Sequence, residues 1–425
     1  MNIPQQILPL IAPDRLPLQP EAVDAAALAD AGEIIEAVRS RGEAALREFA
    51  QRFGEIDAGD PLLLGRHDMQ AAASRLDPQD LRAIESAAER IEAFARVQRG
   101  SLSPVEVPVP GGVAGHTIEP VASAGCYAPG GRYPLPSSVL MTAIPARVAG
   151  VERVVVASPK PADATLAAAM VAGADQLLCV GGAQAIAALA FGLPSLDPVD
   201  FICGPGNRWV TAAKKIVHGR VGIDMLAGPS ELAVIADSSA DPAMIAADLL
   251  AQAEHDVAAR PILIAVGAEA PALVERIRQQ VIAQLTTLPT EATAREAFAN
   301  SFAVCVERSE EAAAIADRLA PEHLQILTRD ADALAARVRH AGALFIGPAS
   351  AEVFGDYGAG PNHTLPTGGT ARFNAGLSVF SFLRVRTYLK LREAPPELAI
   401  ETARLARLEG LEAHARAAES RLQVD

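Results

Sequence analysis

Short apolar runs rich in β-branched residues alternate with helical stretches through most of residues 150–350. Val154–Ala157 leads to a helical stretch at Ala162–Ala172, Leu177–Val180 to one at Gln184–Phe191, and Phe201–Cys203 to one at Asn207–His218. Leu232–Ala236 closes this series, in which strand plus helix recurs about every 23 to 25 residues. A strand without polar alternation buries both faces, and a helical crossover returns the chain to start a parallel neighbour. The rhythm resumes with Ile262–Val266, Phe302–Val306, Leu324–Leu327 and Ala343–Ile346. The pattern predicts an α/β fold of two Rossmann-like α/β units, whose weak mutual similarity hints at duplication.

The remaining segments are read around those units. Ala22–Phe53 and Asp77–Ala95 repeat apolar residues at helical spacing, and the proline- and glycine-rich stretch Pro104–Gly115 marks a domain edge. Residues 1–122 and 235–376 are expected to form one domain, with the N-terminal helices completing its sheet. Residues 123–234 form the other. Residues 377–425 read as a helical C-terminal segment, amphipathic and too small for its own core, that packs on another surface such as a partner subunit.

Charge and cysteine usage narrow the function classes. A formal net charge of −14 argues against nucleic-acid binding. No apolar run reaches the roughly 18 residues of a membrane span, and MNIPQQILPLIAPDRL does not read as a signal peptide. Cys126, Cys179, Cys203 and Cys305 are far apart without a CxxC, which fits a reducing cytoplasm better than disulfides or a thiolate metal site.

Polar chemistry concentrates in few places. The chain has eight histidines, and four of them (His255, His323, His363 and His414) lie near Gln252, Glu322, Asp356 or Glu409 in the sequence. Imidazole, carboxylate and amide together suit a zinc ion with open positions, and a histidine beside a glutamate offers a general base near neutral pH. Gln252 and His255, three apart on a helix, share a face, but spacing does not choose Gln252 over Glu254 as a ligand. Neighbours on a helix point about 100° apart, so Glu322 and His323 meet at one site only if the backbone after Pro321 is irregular. In Gly355–Gly369, five glycines and two prolines surround Asp356 and His363, a loop composition that carries function on a rigid scaffold.

Two glycine-rich loops complete the inventory. Gly204-Pro-Gly-Asn207 lies between a strand and a helix, where backbone N–H groups favour an anion, although on its own a tight strand-to-helix turn explains it better. Gly125–Gly131 carries Tyr127, able to stack on a cofactor or to pack at a domain edge. The GxGxxG dinucleotide fingerprint is absent.

Taken in order, these segments resemble the histidinol dehydrogenases over nearly the whole chain. The similarity is most specific at Tyr127–Gly131, Gly204–Asn207, Ala227–Glu231, Gln252–His255, and Gly355–Tyr357 through Thr370–Phe373. Glu322-His323 and Glu409–His414 complete it. The resemblance implies NAD-linked, zinc-dependent oxidation of L-histidinol to L-histidine by a cytoplasmic homodimer. It implies Gln252, His255, Asp356 and His414 as zinc ligands, with His414 donated by the other subunit. It implies Glu322 and His323 as the acid/base pair, Ser230, His363 and Glu409 as substrate contacts beside the metal ligands and His323, and Tyr127, Gln184 and Asn207 as NAD contacts. Ser123-Ala124 and Arg132-Tyr133 depart from the family's common pattern. Gly131-Arg132-Tyr133-Pro134 is similar to a segment of related dehydrogenases acting on sulfonated diols, which makes such an alcohol the alternative substrate.

Overall fold

The computed structural model describes residues 7–17, 22–130 and 133–422. Gly131 and Arg132 of the Gly-Arg-Tyr-Pro segment, and residues 1–6, lie outside the described residues. Strand β1 (Leu63–Gly65) is followed by a β2–β3 hairpin (Val105–Val109 and Gly112–Pro120). The first α/β series runs β4 (Ser123–Tyr127), β5 (Arg153–Ala157), β6 (Gln176–Leu178), β7 (Phe201–Cys203) and β8 (Gly222–Ile223). The second runs β9 (Glu231–Ala236), β10 (Arg260–Val266), β11 (Phe302–Val306), β12 (His323–Leu327) and β13 (Ala343–Ile346), and β14 (Leu383–Leu391) comes last.

Both series build parallel sheets of one topology. The first is ordered β1-β6-β5-β4-β7-β8, with β1 antiparallel at the edge, and the second β11-β10-β9-β12-β13. In each, the first strand of the series lies between the second and the fourth, the doubly wound arrangement that opens a crevice where the strand order reverses. Every residue of β9 and β10 is buried, as their apolar runs predict, with helices such as Pro242–Ala253 and Ala270–Leu285 providing the cover.

The N-terminal helices depart from the expected division. Ala25–Arg41 packs on the helices Gly182–Phe191 and Arg208–Val217, and Pro78–Gly100 packs on Pro136–Ala149, so both cover the first sheet rather than completing the second. The reason is apolar complementarity: Ile34, Ile35 and Val38 interlock with the Ala- and Leu-rich face of Gly182–Phe191. Among the described N-terminal residues, the segment around Pro9–Ile11 joins the second sheet, through backbone bonds to Ala303.

The C-terminal segment is also not all helix. Leu383–Leu391 pairs antiparallel with β3 along its whole length and makes a separate three-stranded sheet with β2. Helices Pro396–Leu408 and Glu412–Glu419 follow, and their shared core is little more than Ala403, Ala406 and Ala415.

Candidate active site

Two clefts lie at the C-terminal ends of the first sheet's strands, and the second also takes in residues at the starts of the second sheet's strands. One, of about 650 Å³, is lined by Tyr127, Gln184, Asn207 and Trp209, and by Phe49, Phe53 and Glu55 of the N-terminal region. The other, of about 510 Å³, takes in Gly204–Arg208, Ser230, His255, Glu322 and His363. Asn207 lines both.

The first cleft is shaped by tight turns after β4, β6 and β7. Gly204 has φ +117°, and a Cβ there would sit 2.0 Å from the Tyr127 carbonyl oxygen, so only glycine lets β7 turn against the end of β4. Asn207 caps the helix Arg208–Val217, its Oδ1 accepting from the backbone N–H groups of Trp209 and Val210 at 3.1 Å each. The Tyr127 hydroxyl accepts from the Gly182 N–H at 3.2 Å, and burial pushes the phenol up to about 12. Glu55 accepts from the Gly181 N–H and from the Gln184 amide, both at 3.1 Å, and so sets which way that amide points.

The second cleft gathers its polar groups from strand starts. His323 begins β12 and Glu231 begins the adjacent β9. His323 Nδ1 is 3.1 Å from the Glu231 carbonyl oxygen. A carbonyl only accepts, so this bond places the proton on Nδ1 and leaves a lone pair on Nε2. Nε2 is buried, has no hydrogen-bond partner among the described residues, and lies 3.7 Å from Asp356 Oδ1. Burial lowers the His323 pKa to about 4, so the ring is neutral at pH 7 and free to accept a proton.

Glu322 is turned into the same site because it lies just before the strand, not on a helix, which meets the need for irregular backbone after Pro321. Its Oε2 accepts from the Glu231 N–H at 2.9 Å. Burial pushes its proton affinity well above the ordinary carboxyl range, partly opposed by that bond. His363 Nδ1 donates to the Asp356 carbonyl oxygen at 2.9 Å, and burial holds its ring toward the neutral form.

His255 and Asp356 meet at 3.5 Å between Nε2 and Oδ2. The hydrogen bond that the His255 ring donates to the Asp356 carboxylate raises the His255 pKa. Burial pulls the Asp356 carboxyl up, but His255 and the neighbouring imidazoles outweigh it and leave the carboxyl below its usual range. His255, Glu352 and Asp356 offer ligand atoms within 4.8 Å of one another, a spacing a metal ion can draw together. Gln252, on the helix leading to His255, is fully buried with both amide atoms unpartnered among the described residues, a costly state that a metal bond to its oxygen relieves. This nitrogen and oxygen donor set suits zinc.

Glu409 and His414 stand apart. Both are exposed on the C-terminal segment, and neither lines the described clefts. Four polar residues near these groups were not singled out from sequence: Glu55, Glu231, Arg260 and Glu352. The available signals were the position of Glu231 beside Ser230 in Ala227–Glu231 and of Glu352 four residues before Asp356.

Buried His323 and Glu322 and the His255–Asp356 cluster, set beside two doubly wound sheets, make the polar site of an α/β enzyme. A sequence profile described as histidinol dehydrogenase matches residues 19–422. Histidinol dehydrogenases of Cereibacter sphaeroides and Geobacillus kaustophilus are 47% and 46% identical, each over 92% of this chain and over 90% and 93% of their own. A crystal structure of histidinol dehydrogenase from Elizabethkingia anophelis superposes with a TM-score of 0.90 at 31% identity, covering 98% of both chains. The chain belongs to the histidinol dehydrogenase family.

Proposed function

We propose that the chain oxidises L-histidinol to L-histidine with two equivalents of NAD, using His323 and Glu322 for proton transfer at a zinc-held substrate. The observation that carries this reading is the adjoining of the two clefts at Asn207. Tyr127, Gln184 and Asn207, assigned to NAD, line one cleft, while Ser230, Glu322 and His363, assigned to substrate chemistry, line the other. NAD bound in the first would supply the hydride acceptor for the chemistry of the second.

The residues divide the work by their protonation states. Neutral His323, with Nε2 free, takes the hydroxyl proton as the alcohol carbon gives up its first hydride. Glu322, whose burial raises its affinity for a proton, exchanges one with the water that adds to the aldehyde. Once its first proton has passed to solvent, His323 takes another from the hydrate as the second hydride leaves. Alcohol plus water thus gives carboxylate, two hydrides and three protons. Ser230 and His363 orient the substrate at the cleft wall, and Gln252, His255, Asp356 and His414 of the partner subunit would hold zinc. Bound there, the ion would anchor the imidazole and amino nitrogens of the substrate and favour ionised carboxylates around it.

The exposed tail supports a shared site in a homodimer. Leu405 and Leu408 are 60% and 78% exposed, and Val385 and Leu389 of β14 are 57% and 65% exposed. These apolar surfaces suit a second copy, and the same segment carries Glu409 and His414. A biosynthetic role of this kind fits the cytoplasm, and among the described residues no helix is long and apolar enough to cross a membrane.

Purified, zinc-loaded protein given L-histidinol and NAD is expected to form NADH, to stop after chelation, and to resume when zinc is restored. Turnover of a sulfonated diol but not of histidinol would move the assignment to that alcohol.

A further inference from the structure

The Ala227–Glu231 motif contributes Ser230 to the proposed chemistry, yet its last residue makes more contacts with the catalytic pair. The Glu231 backbone N–H donates to Glu322 Oε2 at 2.9 Å, and the Glu231 carbonyl accepts from His323 Nδ1 at 3.1 Å. One peptide unit on each side of a single α-carbon thus holds both members of the pair. Within a strand the N–H and C=O of one residue point the same way, so their aim at β12 depends on how the first residue of β9 is set.

That setting is anchored by charge. The Glu231 side chain is fully buried, and its Oε1 accepts from Arg260 Nη1 at 2.9 Å. Arg260 begins β10 and pairs in register with Glu231, and its backbone N–H also bonds the Ser230 carbonyl at 3.0 Å. The remaining residues of β9 and β10 are apolar: Leu-Ala-Val-Ile-Ala after Glu231 and Pro-Ile-Leu-Ile-Ala-Val after Arg260. A buried ion pair in such a sheet gains little stability over an apolar pair, because desolvation offsets the attraction. What it does supply is direction: a charge-assisted bond that ties the start of β9 to the start of β10.

We propose that Glu231, held by Arg260, is a positioning residue that fixes the geometry of both Glu322 and His323. The carboxylate–guanidinium pair locks the strand start, and the locked peptide groups fix the Glu322 oxygen and the His323 tautomer. This inference rests on Glu322 and His323 being the proton-transfer pair, a reading tested separately by substituting His323 itself.

The test is steady-state kinetics of full-length Arg260→Met and Glu231→Gln with L-histidinol, alongside metal content and unfolding. Both variants are expected to lose kcat about 100-fold through misplacement of reacting groups, with KM and bound zinc changed by no more than about twofold. Arg260→Lys, which still places an ammonium on the carboxylate, is expected to recover about tenfold over Arg260→Met. Ile262→Ala, at a buried apolar position two residues along the same strand, separates positioning from stability: it is expected to unfold more easily at unchanged kcat. Wild-type kcat in Arg260→Met would overturn the proposal. So would a kcat loss that only follows the folded fraction, with lysine no better than methionine. If His323→Asn proves fully active, the underlying pair assignment fails instead, and the two failures are told apart.

Discussion

Replacing His323 with asparagine is expected to lower kcat by about 10²- to 10⁴-fold, the range that a positioned general base contributes. Asparagine keeps a donor that can reach the Glu231 carbonyl, so the local fold is preserved, but it offers no lone pair where Nε2 stands. The wild-type ring is suited to the task because its Nδ1 proton is committed to a carbonyl, which leaves Nε2 as the acceptor, and because burial holds it neutral. His323 is not among the proposed metal ligands, so zinc content should stay near one per subunit. Steady-state kinetics with metal analysis checks both parts. A loss of less than about tenfold would mean that another group takes the substrate proton.

Substitution of His414 is expected to have a comparably large effect by a different route. Within one chain, His414 is exposed and lines neither described cleft, whereas His255 and Asp356 already meet at 3.5 Å. If the partner subunit completes the site, His414→Ala loses a zinc ligand at every site and should lose both bound metal and activity. Losing a protein ligand or its supporting partner typically costs about 10- to 100-fold or more in metal affinity. Mixing His414→Ala with His323→Ala then gives a distinctive readout. In each heterodimer one site has His323 from one chain and His414 from the other, and the second site has neither. Random exchange makes half the dimers heterodimers, so activity should return to about a quarter of wild type, as two-fold symmetry requires. No recovery after demonstrated subunit exchange would place His414 in its own chain's site or outside the site altogether.

The α/β pattern was legible because buried parallel strands leave a strong trace. The expected runs from Val154–Ala157 to Ala343–Ile346 all overlap observed strands. Strand β4 was missed because Ser123-Ala-Gly-Cys-Tyr127 is built of small residues that read as a glycine loop, although all five are buried at the centre of the first sheet. Strands β2 and β3 were missed because prolines and glycines break up their apolar signal, and β14 because its alternating Leu-Arg-Val-Arg stretch was read as part of an amphipathic helical tail. The packing of the N-terminal helices on the first sheet depends on contacts between residues far apart in sequence, such as Ile34 with the Gly182–Phe191 helix, and an amphipathic period does not say which surface it meets. Among site residues, His323 and Asp356 stood out as rare polar groups in an apolar chain, whereas Glu231 acts through its backbone, to which sequence gives no distinctive letter.

The central claim is a four-electron oxidation carried through one site, and the most direct test counts NADH formed per L-histidinol consumed by the purified, zinc-loaded enzyme. Two NADH per histidinol, with histidine as product and only traces of free aldehyde, is the result the account predicts. One NADH per histidinol with aldehyde accumulating would contradict it, because Glu322 and His323 would then serve the first oxidation without the hydration and second hydride transfer assigned to them.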